Sequence, residues 1–142
     1  MRYFIGIDNG LDGGFVRLDE NGKIDHKCVM PVIKLGKGRA VDVIELQRLM
    51  PLDTSEFSVL LENASKHSPG VDLINPQKWQ RTFWTRPKMP KGQKFDTKAA
   101  ALNAANKLWP ATDWTKSERA SKPHDGIVDA ALLAEFARRN QL

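Results

Sequence analysis

The stretch Tyr3-Phe4-Ile5-Gly6-Ile7-Asp8-Asn9-Gly10-Leu11-Asp12-Gly13-Gly14-Phe15-Val16-Arg17-Leu18 decides how this chain is read. Residues 3–7 form a short apolar run of the kind that makes a buried strand, and the run stops at an acid, Asp8. Asn9 to Gly14 is glycine-rich enough for a tight connection, and Phe15 to Leu18 reads as a second strand. Asn21-Gly22, the pair favoured in type I′ hairpins, turns the chain again into a third strand over Ile24 to Met30. The chain therefore opens with a three-stranded antiparallel meander that carries a carboxylate at the tip of its first strand.

Three more acids stand where acids are costly. Glu62 ends the apolar run Val59-Leu60-Leu61. Asp129 interrupts the apolar pattern from Ile127 to Ala134, and Asp125 lies one helical turn before it. A buried carboxylate without a partner is expensive, so such groups usually protonate, pair or bind metal. The i, i+4 spacing puts Asp125 and Asp129 on one helix face, where like charges repel unless something positive lies between them. Asp125 falls in the first turn, where the helix dipole alone would favour an acid; Asp129 has no such reason. Oxygen-only ligation suits Mg²⁺ or Mn²⁺ rather than zinc. His124 reads equally as an extra ligand or proton carrier and as an ordinary residue at a helix N-terminus.

The rest of the chain follows an α/β order. Lys34 to Arg39 reads as a basic loop. Asp42 with Glu45 three residues on matches a capping box, and Val43, Ile44, Leu46, Leu49 and Met50 supply the apolar side of the helix that Pro51 stops. Phe57 to Leu61 is a fourth strand, with Glu62 at its tip, and Val71 to Ile74 a candidate fifth. Asn75-Pro76 is an N-cap followed by proline at the first helical position, and Trp79 and Phe83 share a face of the helix it opens. Thr97 to Trp109 and Pro123 to Arg139 are two further helices.

The chain has 142 residues, one domain in length, with a formal net charge of +5 and a pI near 9.5. The charge is uneven: residues 85–98 hold Arg86, Lys88, Lys91, Lys94 and Lys98 against Asp96 alone, a basic loop suited to a polyanion. Cys28 is the only cysteine, so an internal disulfide is excluded and a reducing, cytoplasmic setting is expected. No stretch has the length of a membrane span, and no signal peptide is expected. Asn63-Ala64-Ser65 matches a glycosylation acceptor only formally. Of the large aromatics, Trp114, in a polar stretch beside Lys116, is the better candidate for stacking on DNA; Trp79, Phe83 and Trp109 read as core.

Several of these segments together resemble one family. Ile5-Gly6-Ile7-Asp8-Asn9-Gly10-Leu11-Asp12-Gly13-Gly14 is similar to the first motif of the RuvC family of Holliday-junction resolvases, most closely its bacteriophage branch. Leu60-Leu61-Glu62-Asn63 resembles the second motif. Asn75-Pro76-Gln77-Lys78-Trp79 resembles the element after the fifth strand, and Lys98 with Leu108-Trp109-Pro110 the later helix. His124-Asp125-Gly126-Ile127-Val128-Asp129-Ala130 resembles the final acidic motif. The match runs in order through nearly the whole chain. It implies a single ribonuclease-H-like domain over residues 1–142, with a mixed five-stranded sheet and flanking helices. It implies Mg²⁺ (or Mn²⁺) held by the catalytic acids Asp8, Glu62 and Asp129, with Asp125 or His124 completing the set. The activity implied is hydrolysis of phosphodiesters in branched DNA, leaving 5′-phosphate and 3′-hydroxyl ends. Lys66, His67, Arg86, Lys88, Lys91, Lys94, Lys98, Lys116 and Lys122 are the candidate DNA contacts. Family members often space the last two acids three apart; here the spacing is four. They also carry a long helix between strands four and five that builds much of a homodimer interface, where this chain has only residues 63–70. Either a short crossover replaces that helix, or Val71 to Ile74 is not the expected strand.

Three other functions compete. A related nuclease could cut flaps, branches or hybrids without junction specificity. Asp8-Asn9-Gly10 with Gly13-Gly14 also fits the phosphate loop of sugar-kinase and actin-type proteins, but those need two such domains and far more chain. A non-catalytic DNA-binding module would not keep four acids beside phosphates.

Overall fold

A computed structural model describes residues 1–50, 57–62 and 72–142. Strands Tyr3–Asp8 (β1), Gly14–Leu18 (β2) and Ile24–Val29 (β3) form the antiparallel meander. Val32–Leu35 (β4) and Gly38–Val41 (β5) pair as a separate hairpin, followed by helix α1, Val43–Leu49. Phe57–Glu62 (β6) runs parallel to β1, completing a mixed sheet whose body is ordered β3-β2-β1-β6. A three-residue segment, Asp72–Ile74 (β7), extends it parallel to β6. Helices Pro76–Phe83 (α2), Thr97–Leu108 (α3) and Asp125–Arg139 (α4) follow. The whole is a mixed α/β domain with helices flanking a mixed sheet. No helix among the described residues is long and apolar enough to cross a membrane.

Alternation along the strands divides the core between the sheet's two faces. Phe4, Val16 and Leu18 pack with α4, Trp79 of α2 and the alanines of α3. Ile5, Ile7 and Phe15 face the other way, against Met30, with Val41, the α1 residues Leu46 and Leu49 and the α1 C-cap Met50 beside them. Gly6 and Gly14 belong by parity to the α4 face, and so does Asp8. Their missing side chains let the helix descend. A Cβ on Gly6 would lie 1.9 Å from the Ala130 oxygen and 2.6 Å from the Ala134 nitrogen. One on Gly14 would lie 2.4 Å from the Gly126 oxygen. Glycine at positions 6 and 14, answered by Gly126, Ala130 and Ala134 on the helix, is what seats α4 directly on β1 and β2.

Local signals explain the helix starts. Asp42 accepts from Glu45 N (3.1 Å), Asn75 from Gln77 N (2.9 Å) and Asp96 from Ala99 N (3.0 Å), each as an N-cap. The Glu45 carboxylate turns to Arg48 (3.3 Å) rather than back to its cap. The C-terminal turn of α4 is tied by Glu135, which is only 2% exposed and takes Arg138 and Arg139 at 2.8 Å each. Burial pushes its carboxyl pKa up, but the hydrogen bonds from the two guanidiniums outweigh this and leave it below its ordinary value.

Four expectations need correction. Residues 34–39 are not a loop: Lys34 and Arg39 face each other in the β4–β5 hairpin, which Gly36 turns at φ +60°. The Asn21-Gly22 turn is not type I′, which needs positive φ at both central residues; only Gly22 has it (+82°). The Asp19 carboxylate captures Asn21 N and Lys23 N at 2.9 Å each and imposes its own turn. Val43 and Ile44 are 60% and 66% exposed, so the apolar side of α1 that meets the sheet is Leu46 and Leu49, with Met50 at the C-cap. Trp114 is buried, stacked edgewise on Trp109 at 5.8 Å, with its Nε1 donating to Asn106 (3.1 Å); it is core, not a DNA platform.

Candidate functional site

Asp8 is the last residue of β1, half-buried, on the face that carries α4. Across the sheet it pairs with Gly14, the residue against which the Gly126 backbone rests. The first turn of α4 therefore lies beside the tip of β1. On the other side, Gly6 pairs with Leu60 and Ile7 with Leu61. One further step in that parallel register puts the Glu62 backbone next to Asp8, with strands about 4.8 Å apart. The Glu62 side chain lies outside the described structure.

Asp125 and Asp129 flank the stripe of α4, Gly126-Ala130-Ala134, that touches the sheet. Asp125 is exposed and Asp129 half-buried. The positive group that their repulsion requires is Lys98, from the first turn of α3. Its Nζ lies 2.9 Å from an Asp125 oxygen. The hydrogen bond and charge of Asp125 raise the Lys98 pKa, and the charges of Asp129 and Asp96 add to the rise. A cation is thus already bonded to Asp125, with the Asp129 charge near enough to act on it.

His124 is the N-cap of α4, its Nδ1 accepting from Ile127 N at 3.3 Å. That bond occupies the Nδ1 lone pair, and an imidazole that binds metal through Nε2 carries its proton on Nδ1, which then cannot accept. Ligation through Nε2 would cost the cap its hydrogen bond. The donors near the α4 N-terminus are therefore carboxylate oxygens, the hard ligands that Mg²⁺ takes. Among the described residues, no three His, Cys, Asp or Glu side chains stand close enough to hold a metal ion, a set that does not include the Glu62 side chain.

Beside the acids lies a basic rim. The segment between Thr115 and Pro123 is closed by a bridge between those two residues and by His124 N donating to Trp114 O (2.7 Å). It folds Lys116 and Lys122 with His124 around a recess of about 340 Å³. Sequence spacing had no means of pairing Lys116 with Lys122; the bridge does so. Arg86 crosses the basic segment, its guanidinium over the Phe95 ring (5.7 Å) and donating to Thr97 Oγ1 (3.2 Å). It thereby ties the end of α2 to the start of α3, next to Lys98. Lys88, Lys91 and Lys94 are exposed between these anchors. Lys66 and His67 lie outside the described residues, as does the connection 63–71 on which the dimer expectation turned.

No family model matches this chain, and no curated protein matches it.

Proposed function

We propose that this chain is a Mg²⁺-dependent endodeoxyribonuclease of ribonuclease-H-like architecture that resolves four-way DNA junctions, as its resemblance to bacteriophage-type RuvC resolvases implies. The observation that carries the proposal is the seating of the α4 N-terminus, with Asp125 and Asp129, against the β1 tip that bears Asp8. The strand order supports the fold assignment. With the β4–β5 hairpin set aside as an insertion, an antiparallel meander joined through its first strand to parallel strands is the ribonuclease-H-like arrangement.

In this proposal Asp8, Glu62 and Asp129 would hold the metal, and Asp125, whose second oxygen is left when Lys98 takes the first, would complete the set in place of the N-cap His124. Bound there, divalent metal would supply activation of a water and charge stabilisation at the leaving 3′ oxygen. The water oxygen bonds to phosphorus, the P–O3′ bond breaks, and the 3′ oxygen leaves as a hydroxyl opposite a 5′-phosphate. Lys98, Lys116 and Lys122 neutralise phosphates on either side of the cut. His124 holds the first turn of α4 in place rather than carrying a proton.

The test is cleavage of a synthetic four-way junction in Mg²⁺, beside linear duplex and flap controls, by the native chain and by Asp8→Asn. Cutting confined to the junction, lost in Asp8→Asn while junction binding persists, is the expected result. Equal cutting of flaps would remove junction specificity, and undiminished cutting by Asp8→Asn would remove the mechanism. Symmetric paired cutting needs two active sites, so light scattering of the native chain with the junction should give two protomers per junction.

A further inference from the structure

A second recess, larger than the one beside His124, lies away from the acids. It lies at the C-terminal end of α2, holds about 440 Å³ and is lined by Gln77, Gln80, Arg81, Trp84, Thr85 and Arg86. That size falls in the range of about 300–1,000 Å³ common to ligand sites. Among the described residues, its lining contains no acid and neither Arg81 nor Arg86 enters an ion pair. Trp84 is half-buried, its ring set edgewise on buried Trp79 at 5.8 Å and 87°, so the indole is braced rather than loose. Arg86 is braced as well, by Phe95 and Thr97.

Each chemistry in this wall narrows the ligand. Two guanidiniums alone would serve any polyanion. A braced indole adds a flat apolar surface, and two carboxamides add paired donors and acceptors suited to the edge of a heterocycle. We propose that this recess takes one unpaired nucleotide of a nucleic-acid strand. Its base lies against Trp84 within reach of Gln77 and Gln80, and its flanking phosphates lie on Arg81 and Arg86. A paired base could not present its face, so the site reads single-stranded character.

The recess is also connected to the acids. Arg86 bonds Thr97, and the next residue, Lys98, reaches Asp125 at 2.9 Å. A strand leaving the recess over Arg86 arrives at Lys98. The recess would thus hold an unpaired nucleotide beside the scissile phosphate, which favours branch points over continuous duplex. That last step rests on the nuclease proposal; nucleotide binding does not.

The experiment therefore measures binding with cleavage switched off. Fluorescence anisotropy in EDTA compares labelled oligothymidylate, an abasic phosphodiester of equal length and a blunt duplex, all on the full chain. The native chain should bind oligothymidylate about tenfold more tightly than the abasic strand. Trp84→Leu should erase that preference while leaving abasic binding unchanged. Arg81→Gln, at an exposed position, should weaken both single strands several-fold. Equal affinity of the native chain for both strands, or a preference that survives Trp84→Leu, overturns the proposal. Junction cleavage in Mg²⁺ is read separately. A thymidylate preference without cleavage upholds the recess and retires the nuclease, whereas cleavage without the preference does the reverse.

Discussion

Gly6→Ala tests the contact on which the site depends. The added methyl would come within 1.9 Å of the Ala130 oxygen, about 1.5 Å short of ordinary van der Waals contact, and within 2.6 Å of the Ala134 nitrogen. Both are backbone atoms of a buried helix, so no side chain can rotate away. Either β1 bends or α4 lifts off the sheet along its length. Overpacking of a filled core costs about 1–3 kcal/mol, and with backbone on both sides the upper figure applies. For 142 residues that corresponds to a Tm fall of about 10 °C. Thermal unfolding followed by circular dichroism reads it. Gly38→Ala is the control: its new methyl would meet only the Leu35 oxygen at 3.7 Å, and Tm should stay within about 2 °C. A Gly6→Ala protein as stable as the control would mean that α4 does not sit on β1, and the placing of the α4 N-terminus beside the β1 tip would go with it.

Other outcomes follow from single residues. Because the Glu135 carboxyl is held below its usual pKa, its contribution is complete above about pH 4.5 and is lost as pH falls through the folded value. Glu135→Gln should cost about 1–2 kcal/mol at pH 7, less than a fully buried pair because Arg138 and Arg139 keep part of their surface in water, and the gap from the native chain should close on acidification; a gap that widens would contradict the assignment. Burial, with the Glu45 charge second, pushes the Cys28 thiol up to about 11, so iodoacetamide should modify it slowly at pH 8 and faster only as pH approaches that value; modification at the rate of a free thiol would show the site is open. Replacing Lys88, Lys91 and Lys94 together by glutamine should lower the slope of log K against log salt for junction binding by about 2–3, if all three meet phosphates. An unchanged slope would take the segment off the DNA.

Much of the fold was legible because it was written in local chemistry. The apolar run ending at Asp8, the caps Asp42 and Asn75, and the helical spacing of Trp79 and Phe83 (ring centroids 6.4 Å apart) each act within a few residues. What was not legible depended on competition or on distance. The Asp19 side chain overrode the Asn-Gly preference at the first turn. Trp114 looked exposed from its polar neighbours, yet Trp109 and Asn106, both on the other side of Pro110, bury and satisfy it. For the candidate site, residue type alone nominates the four acids and the basic residues. It does not nominate the Lys98–Asp125 ion pair, the recess shared by Lys116 and Lys122, or the commitment of His124 to its cap. The signal for the last was present in the sequence: a residue just before an acidic first turn is a cap position before it is a ligand.

The most direct test is diffraction from crystals soaked in Mn²⁺, with data collected for its anomalous signal. The account predicts a peak within about 2.2 Å of an Asp8 carboxylate oxygen, shared with Glu62 or the α4 acids, and its loss in Asp8→Asn. Mn²⁺ bound only elsewhere, with Asp8 and Asp129 too far apart to share an ion, would contradict it.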